Sequence, residues 1–65
     1  MSDAERDGVR IHESAEVSDK ADIGQGTVIW HQAQIREGAR LGSGCIVGKG
    51  AYVDFDVTVG DYCKL

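Results

Sequence analysis

The chain has 65 residues with a formal net charge of −4, and 42% of its residues are hydrophobic. This acidic balance argues against a general nucleic-acid or anionic-membrane surface, and no run approaches the roughly 18 apolar residues of a membrane span. The N-terminus lacks the basic and apolar regions of a secretory signal, so we expect a cytoplasmic protein. The length allows one domain with a small core.

The chain changes character at Val9. Residues 1–8 are acidic and follow no repeating pattern, so we expect a tail or a loose N-terminal cap there. Residues 9–65 follow one continuous pattern without a linker, and we expect them to form a single repeat domain.

Within that domain an aliphatic residue recurs at every sixth position. The ten positions are Ile11, Val17, Ile23, Ile29, Ile35, Leu41, Val47, Val53, Val59 and Leu65. Four places after each of them stands a small or modest residue: Ala15, Ala21, Thr27, Ala33, Ala39, Cys45, Ala51, Val57 and Cys63. Because six and four are both even, all these residues share one face of an extended chain, where successive side chains alternate.

Short strands with one inward face, broken by a corner every six residues, form a three-sided coil of 18 residues. The span from Ile11 to Lys64 then makes three such coils. Stacking aligns residues that are 18 apart, so Ile11 should lie in one column with Ile29 and Val47. The sequence therefore predicts an all-β fold, a parallel β-helix of three hexapeptide-repeat coils.

The pattern stops at Leu65, the aliphatic residue that opens a further hexad. Repeat arrays usually carry atypical capping segments that cover their unpaired strand edges, and none follows here. We therefore expect the chain to be the N-terminal piece of a longer protein, truncated at its C-terminal end. The alternative is that another chain completes this end.

Outward positions suggest an oligomer seam. Val28 and Ile46 are 18 apart and should stack on the outer face, with Trp30 on the same side. Exposed apolar strips mark interfaces more often than accidents. The alternative interpretation is that Val28 and Ile46 are simply good strand formers.

Two histidines lie near one predicted corner, since His12 and His31 are 19 apart on neighbouring coils. Two imidazoles could share a zinc ion, but a catalytic zinc takes three protein ligands and the chain has no third histidine. We therefore expect no metal. His31 is either a surface corner histidine or a residue that acts in binding or proton transfer.

Other motifs have simpler explanations. The G-x-G triplets open no helix after a strand, so corner glycines explain them, and Lys49 becomes a solvated corner lysine. Cys45 and Cys63 fall in an inward column and are expected to be inert, buried thiols. Trp30 is different, because it takes a place where four hexads have glycine. It should project from a corner to pack against another subunit or to stack on a flat ligand such as uracil or adenine.

Residues 9–65 resemble the opening coils of the hexapeptide-repeat acyltransferases, whose fold is a left-handed parallel β-helix. The resemblance rests on Ile11-His12 with Ala15, Gly24-x-Gly26-Thr27-x-Ile29-Trp30-His31, Gly38-Ala39-x-Leu41-Gly42-x-x-Cys45 and Gly60-x-x-Cys63-Lys64. Within this family the chain is most similar to the sugar-nucleotide N-acetyltransferases that acetylate a 3-amino sugar on a nucleoside diphosphate. The Trp30-His31 pair in this frame narrows the choice.

The resemblance implies a homotrimer with its seam near Val28, Trp30 and Ile46, acetyl-CoA as donor, and a UDP- or dTDP-linked amino sugar as acceptor. Trp30 and His31 are then groove or nucleotide-sugar contacts, and Arg36 is an anion contact. The resemblance places much of the acceptor and CoA contact downstream of Leu65, so this 65-residue piece is expected to be inactive alone. The alternative function is a non-catalytic β-helical scaffold or oligomerisation module.

Overall fold

The computed structural model describes residues 4–6 and 8–65, and all regular secondary structure in these ranges is β-strand. The strands are β1 (Ala4–Arg6), β2 (Val9–Ile11), β3 (Glu16–Val17), β4 (Asp22–Ile23), β5 (Val28–Ile29), β6 (Gln34–Ile35), β7 (Arg40–Leu41), β8 (Ile46–Val47), β9 (Tyr52–Val53) and β10 (Thr58–Val59). Over the same ranges, no helix has the length and apolar character needed to cross a membrane.

The strands form three parallel sheets, each made of strands that succeed one another by one coil. The first sheet contains β2, β5 and β8, the second contains β3, β6 and β9, and the third contains β4, β7 and β10. Residues 18 apart are in register, as Ile11 with Ile29, Val17 with Ile35 and Ile23 with Leu41 show. The predicted parallel β-helix of three coils is therefore confirmed.

Each strand has only two or three residues because a corner interrupts the chain every six. Backbone hydrogen bonds run from coil to coil: His12 N–H donates to the Ile29 carbonyl at 2.9 Å, and Trp30 N–H donates to the Val47 carbonyl at 2.9 Å. The backbone thus satisfies its polar groups along the prism axis, and the side chains remain free to alternate between the interior and the surface.

The core lies inside the prism and is built from odd-numbered residues alone. Its buried apolar members are Val9, Ile11, Ala21, Ile29, Ala33, Ile35, Ala39, Leu41, Cys45, Val47 and Val53. Two residues of the inward columns depart from the expectation, since Val57 is 38% exposed and Leu65 is 46% exposed. Both belong to the last turns of the chain, where the described residues pack against them from one side only.

The corners stack in three rows. The first row, between the first and second sheets, contains residues 12–15, 30–33 and 48–51; the second contains 18–21, 36–39 and 54–57; the third contains 24–27, 42–45 and 60–63. In the third row, the corners of successive coils approach each other closely. A Cβ on Gly24 would lie 2.6 Å from the carbonyl carbon of Gly42, so glycine is required there.

The third row also contains a buried polar column. Thr27 is fully buried; its hydroxyl donates to the Gly42 carbonyl at 2.9 Å and accepts from Cys45 N–H at 3.1 Å. The buried Cys45 thiol lies 3.1 Å from the Gly60 carbonyl, while Cys63 is only partly buried. The prediction of a buried thiol thus holds for Cys45, and Cys63 is partly accessible because it lies on the last coil.

The N-terminal part of the chain adds a strand outside the hexapeptide pattern. β1 pairs antiparallel with β2, with Ala4 opposite Ile11 and Arg6 opposite Val9. Gly8 has a φ of +79° before β2, a conformation that suits a tight reversal. β1 therefore covers the outer edge of β2, which would otherwise present unpaired backbone groups. Of residues 1–8, where we expected a tail or cap, 1–3 and 7 lie outside the described ranges.

Candidate binding site at the first corner row

The Trp30-His31 pair lies at the middle corner of the first row, directly after β5. The Trp30 side chain is 44% exposed, and its ring is nearly parallel to that of His31, with 17° between the planes and 6.1 Å between the centroids. The corner places both rings outside the prism because the inward positions are occupied by Ile29 and Ala33. The pair therefore offers a flat, accessible aromatic surface.

His12 of the preceding coil meets His31 at the same corner row. The two ring centroids are 3.8 Å apart with 42° between the planes, which confirms that residues 19 apart adjoin across coils. The described residues contain no group of three histidine, cysteine, aspartate or glutamate side chains that could hold a metal ion. The geometry brings the imidazoles together without a metal-binding set around them.

Local hydrogen bonds fix the orientation of the His12 ring. Ser14 N–H donates to His12 Nδ1 at 3.1 Å, and the Ser14 hydroxyl lies 2.9 Å from the same nitrogen. Gln32 N–H, from the next coil, donates to Ser14 Oγ at 2.9 Å. Since Nδ1 accepts, the neutral ring carries its proton on Nε2. His12 is thus held as an N–H donor by residues of two coils.

A groove with a volume of about 410 Å³ opens beside these rings, lined by His12, Ser14, His31, Gln32 and Lys49. Lys49 stands 18 residues after His31 and therefore occupies the same corner position one coil further on. The sequence pattern predicts a solvated corner lysine at Lys49 and indicates no role for Ser14 or Gln32. The signal that identifies them is the coil period, because Ser14 and Gln32 are also 18 apart.

On the coil that follows Trp30, a glycine leaves the outer surface without a side chain. Gly48 occupies the equivalent position one coil further on, and a Cβ there would lie 2.7 Å from the carbonyl oxygen of Leu65. Gly48 is therefore required by the close approach of the coils. As a consequence, no side chain adjoins Trp30 at the equivalent position of the next coil.

Arg36 lies elsewhere, on the second corner row. Its guanidinium carbon is 5.2 Å from the centre of the Phe55 ring, and its Nε is 3.7 Å from a carboxylate oxygen of Glu37. Nε is buried without a hydrogen-bond partner among the described residues. Arg36 lines a separate groove of about 500 Å³ together with residues 15–18. Within one chain, then, the structure unites Trp30 with His31 but does not unite them with Arg36.

The expected apolar strip is present on the outer face of the first sheet. Val28 and Ile46 are in register in β5 and β8, and Ile46 is 38% exposed while Val28 is partly buried. Trp30 extends the strip toward the first corner row.

The repeat length, the three stacked sheets and the inward aliphatic columns together define a hexapeptide-repeat β-helix protein. The sequence profile described as "Bacterial transferase hexapeptide (six repeats)" matches residues 20–55, which is more than half of the chain. The chain therefore belongs to the bacterial transferase hexapeptide family. No curated protein sequence and no solved structure shows a significant match to it.

Proposed function

We propose that these coils form part of a cytoplasmic, acetyl-CoA-dependent N-acetyltransferase that acts on a UDP- or dTDP-linked 3-amino sugar. Membership of the transferase hexapeptide family supports group transfer as the reaction class. The observation that carries the finer proposal is the accessible, nearly parallel pair of rings formed by Trp30 and His31 beside an open groove. A flat aromatic surface of this kind suits a nucleobase.

In the proposed reaction the sugar amine attacks the thioester carbonyl carbon of acetyl-CoA. A C–N bond forms, the C–S bond breaks, CoA leaves as its thiolate, and the nitrogen gives up a proton. Most of the acceleration in such a reaction comes from holding amine and thioester in contact. Trp30 would stack on the base of the acceptor, and His31 would contact the nucleotide sugar next to it.

The proposed assembly is a homotrimer with parallel prism axes. Val28, Trp30 and Ile46 form its seam, since they make a continuous apolar strip on the outer face. A groove between subunits then has the Trp30-His31 corner on one wall. Arg36, on a different corner row, contacts an anionic group only if a neighbouring protomer brings that row to the same groove.

The single tryptophan of the chain supplies the test. UDP added to the protein should quench Trp30 fluorescence by stacking, and UDP and acetyl-CoA should each raise the unfolding temperature, since a ligand stabilises the state that binds it. Trp30→Phe should retain part of the UDP stabilisation and Trp30→Ala should lose it, while Tyr62→Ala, which removes an exposed aromatic ring from the third corner row, should not change it. A Trp30→Ala variant that remains trimeric and binds UDP normally would remove Trp30 from the site.

A scaffold is the second candidate, and the apolar strip of Val28 and Ile46 favours it independently of any ligand. A module of this kind would assemble through the strip and bind neither UDP nor acetyl-CoA. Sedimentation equilibrium separates the two functions when it is combined with the ligand titrations. A stable trimer that responds to neither ligand supports the scaffold and contradicts the transferase.

A further inference from the structure

We propose that the groove lined by His12, His31 and Lys49 is an anion site that takes the phosphoryl groups of a diphosphate. The assignment deepens the proposed function, and the identity of the natural ligand rests on that function. The anion chemistry itself rests on the side chains that meet at the first corner row.

The first argument is that the groove presents hydrogen-bond donors. The Nδ1 atom of His12 is occupied by Ser14, so the neutral ring offers Nε2–H as a donor. His31 lines the same groove with its imidazole, and Lys49 adds an ammonium group with three donors. These donors come from three successive coils and surround one open volume.

The second argument is the local charge. The chain carries a net charge of −4, yet none of the described residues that line this groove is acidic. No carboxylate lies within ion-pair distance of Lys49 among the residues that the structure describes. Glu13 occupies the same corner position as His31 one coil earlier, but its exposed side chain does not line the groove. Because Lys49 lies among hydrogen-bond donors and has no carboxylate partner in the described part of the chain, the groove suits an anionic ligand.

The third argument is size. A groove of about 410 Å³ has room for a diphosphate beside the exposed Trp30 ring. Trp30 adjoins His31, so a base stacked on the indole would carry its phosphates toward His31 and Lys49. Two ligands of the proposed reaction contain a diphosphate, namely the nucleotide sugar and CoA, and both present the same chemistry to this groove.

Titration of the full chain with inorganic pyrophosphate tests the site, with the imidazole C–H signals of His12 and His31 followed by NMR at low salt. We expect both histidines to shift in a saturable manner. Lys49→Gln should weaken binding about tenfold, because one charge-assisted contact is lost. Glu13→Gln should strengthen binding modestly, since it removes a nearby negative charge from the same column.

Two controls separate this site from general effects. Lys20→Gln makes the same charge change at an exposed position on the second corner row, so it should leave pyrophosphate affinity unchanged. His12→Phe keeps a ring at the contact with His31 and removes the Nε2–H donor, and it should weaken binding while thermal unfolding confirms that the variant is folded. Equal losses in the Lys49 and Lys20 variants, or the absence of any saturable histidine shift, would overturn the proposal.

Competition identifies the natural source of the phosphates. Displacement of pyrophosphate by UDP assigns the groove to the acceptor, and displacement by 3′-phosphoadenosine 5′-diphosphate assigns it to CoA; either result supports the anion site. Pyrophosphate binding without any UDP response at Trp30 keeps the site and removes the proposed nucleotide-sugar function. UDP binding at Trp30 without any pyrophosphate effect on the two histidines keeps the function and overturns the site.

Discussion

Replacement of Thr27 with valine tests whether one buried hydroxyl holds the third corner row together. In the first row the corner closes on itself, as Ala33 N–H donates to the Trp30 carbonyl at 3.4 Å. In the third row the equivalent N–H of Cys45 donates instead to Thr27 Oγ of the preceding coil at 3.1 Å, and that hydroxyl donates to Gly42 at 2.9 Å. The Thr27 hydroxyl thus lies between the Gly42 carbonyl and Cys45 N–H, which would otherwise hydrogen-bond to each other directly.

Valine has nearly the shape of threonine, so Thr27→Val creates no large cavity and isolates the loss of the two hydrogen bonds. Each contributes about 1 kcal/mol net, and an unsatisfied buried partner adds to the cost. We therefore expect the free energy of unfolding to fall by about 2–3 kcal/mol, which is large for so small a domain. Thr27→Ser keeps the hydroxyl and loses one methyl group, so it should cost only about 1 kcal/mol.

The assay is urea unfolding followed by far-ultraviolet circular dichroism. With a slope of about 1 kcal/mol/M, the transition midpoint of Thr27→Val should fall by about 2–3 M, or the variant should already be unfolded in buffer. Thr27→Ser should remain folded with a midpoint between those of Thr27→Val and the parent protein. A valine variant at least as stable as the serine variant would refute the reasoning, and would show that the corner of Cys45 closes on its own.

Three further predictions follow from the corners. Gly42→Ala should unfold the chain or destabilise it by several kcal/mol, because its Cβ would lie 2.7 Å from a backbone nitrogen of the next coil. As a control, a Cβ on Gly60 would have no atom within 4 Å, so Gly60→Ala should cost about 1 kcal/mol or less in the same urea assay. Asp56→Gly should raise the melting temperature slightly, since aspartate holds a φ of +59° there and glycine adopts that conformation without strain. In a thiol-reactivity time course, partly buried Cys63 should react with a disulfide reagent well before fully buried Cys45, and equal rates would contradict the burial assigned to the column.

The six-residue spacing was enough to predict the architecture, because one rule of geometry governs both the strand and the corner. Alternation along a strand and an even corner length keep every inward residue on an odd number, and the buried residues obey this from Val9 to Val53. The coil period then set the register, as the pairing of Ile29 with Val47 shows. The burial of Val57 and Leu65 in the final coil could not be predicted from spacing alone, because it depends on which residues pack against that coil.

The hexapeptide pattern does not predict the first strand, β1. β1 pairs antiparallel with β2 through a turn at Gly8, and this arrangement follows no six-residue rule. The composition of residues 1–8 is acidic and without alternating hydrophobicity, so sequence reasoning had no periodic signal for a strand there. The feature that positions this strand is its backbone pairing with the open edge of β2.

The candidate site was predicted in part, and the missing part has a geometric cause. His12 with His31 and Arg36 with Phe55 are each 19 apart, and both pairs make ring contacts across coils. A residue just after a strand therefore contacts the residue that lies one corner place further along on the next coil. That diagonal relation can be read from the sequence once the coil length is known. The hydrogen bonds of Ser14 cannot be read from the sequence, because they depend on side-chain rotamers.

The separation of Arg36 from the Trp30-His31 pair bears on how a complete site would arise. A three-sided prism directs its corner rows outward in three different directions, so residues on two rows of one chain cannot close on one small ligand. Two prisms packed side by side can bring the first row of one chain against a different row of the next. If Arg36 and Trp30 serve one ligand, binding must therefore depend on protein concentration along with assembly. If pyrophosphate binding at His12, His31 and Lys49 proves independent of protein concentration, that groove belongs to a single chain, and Arg36 has a separate role.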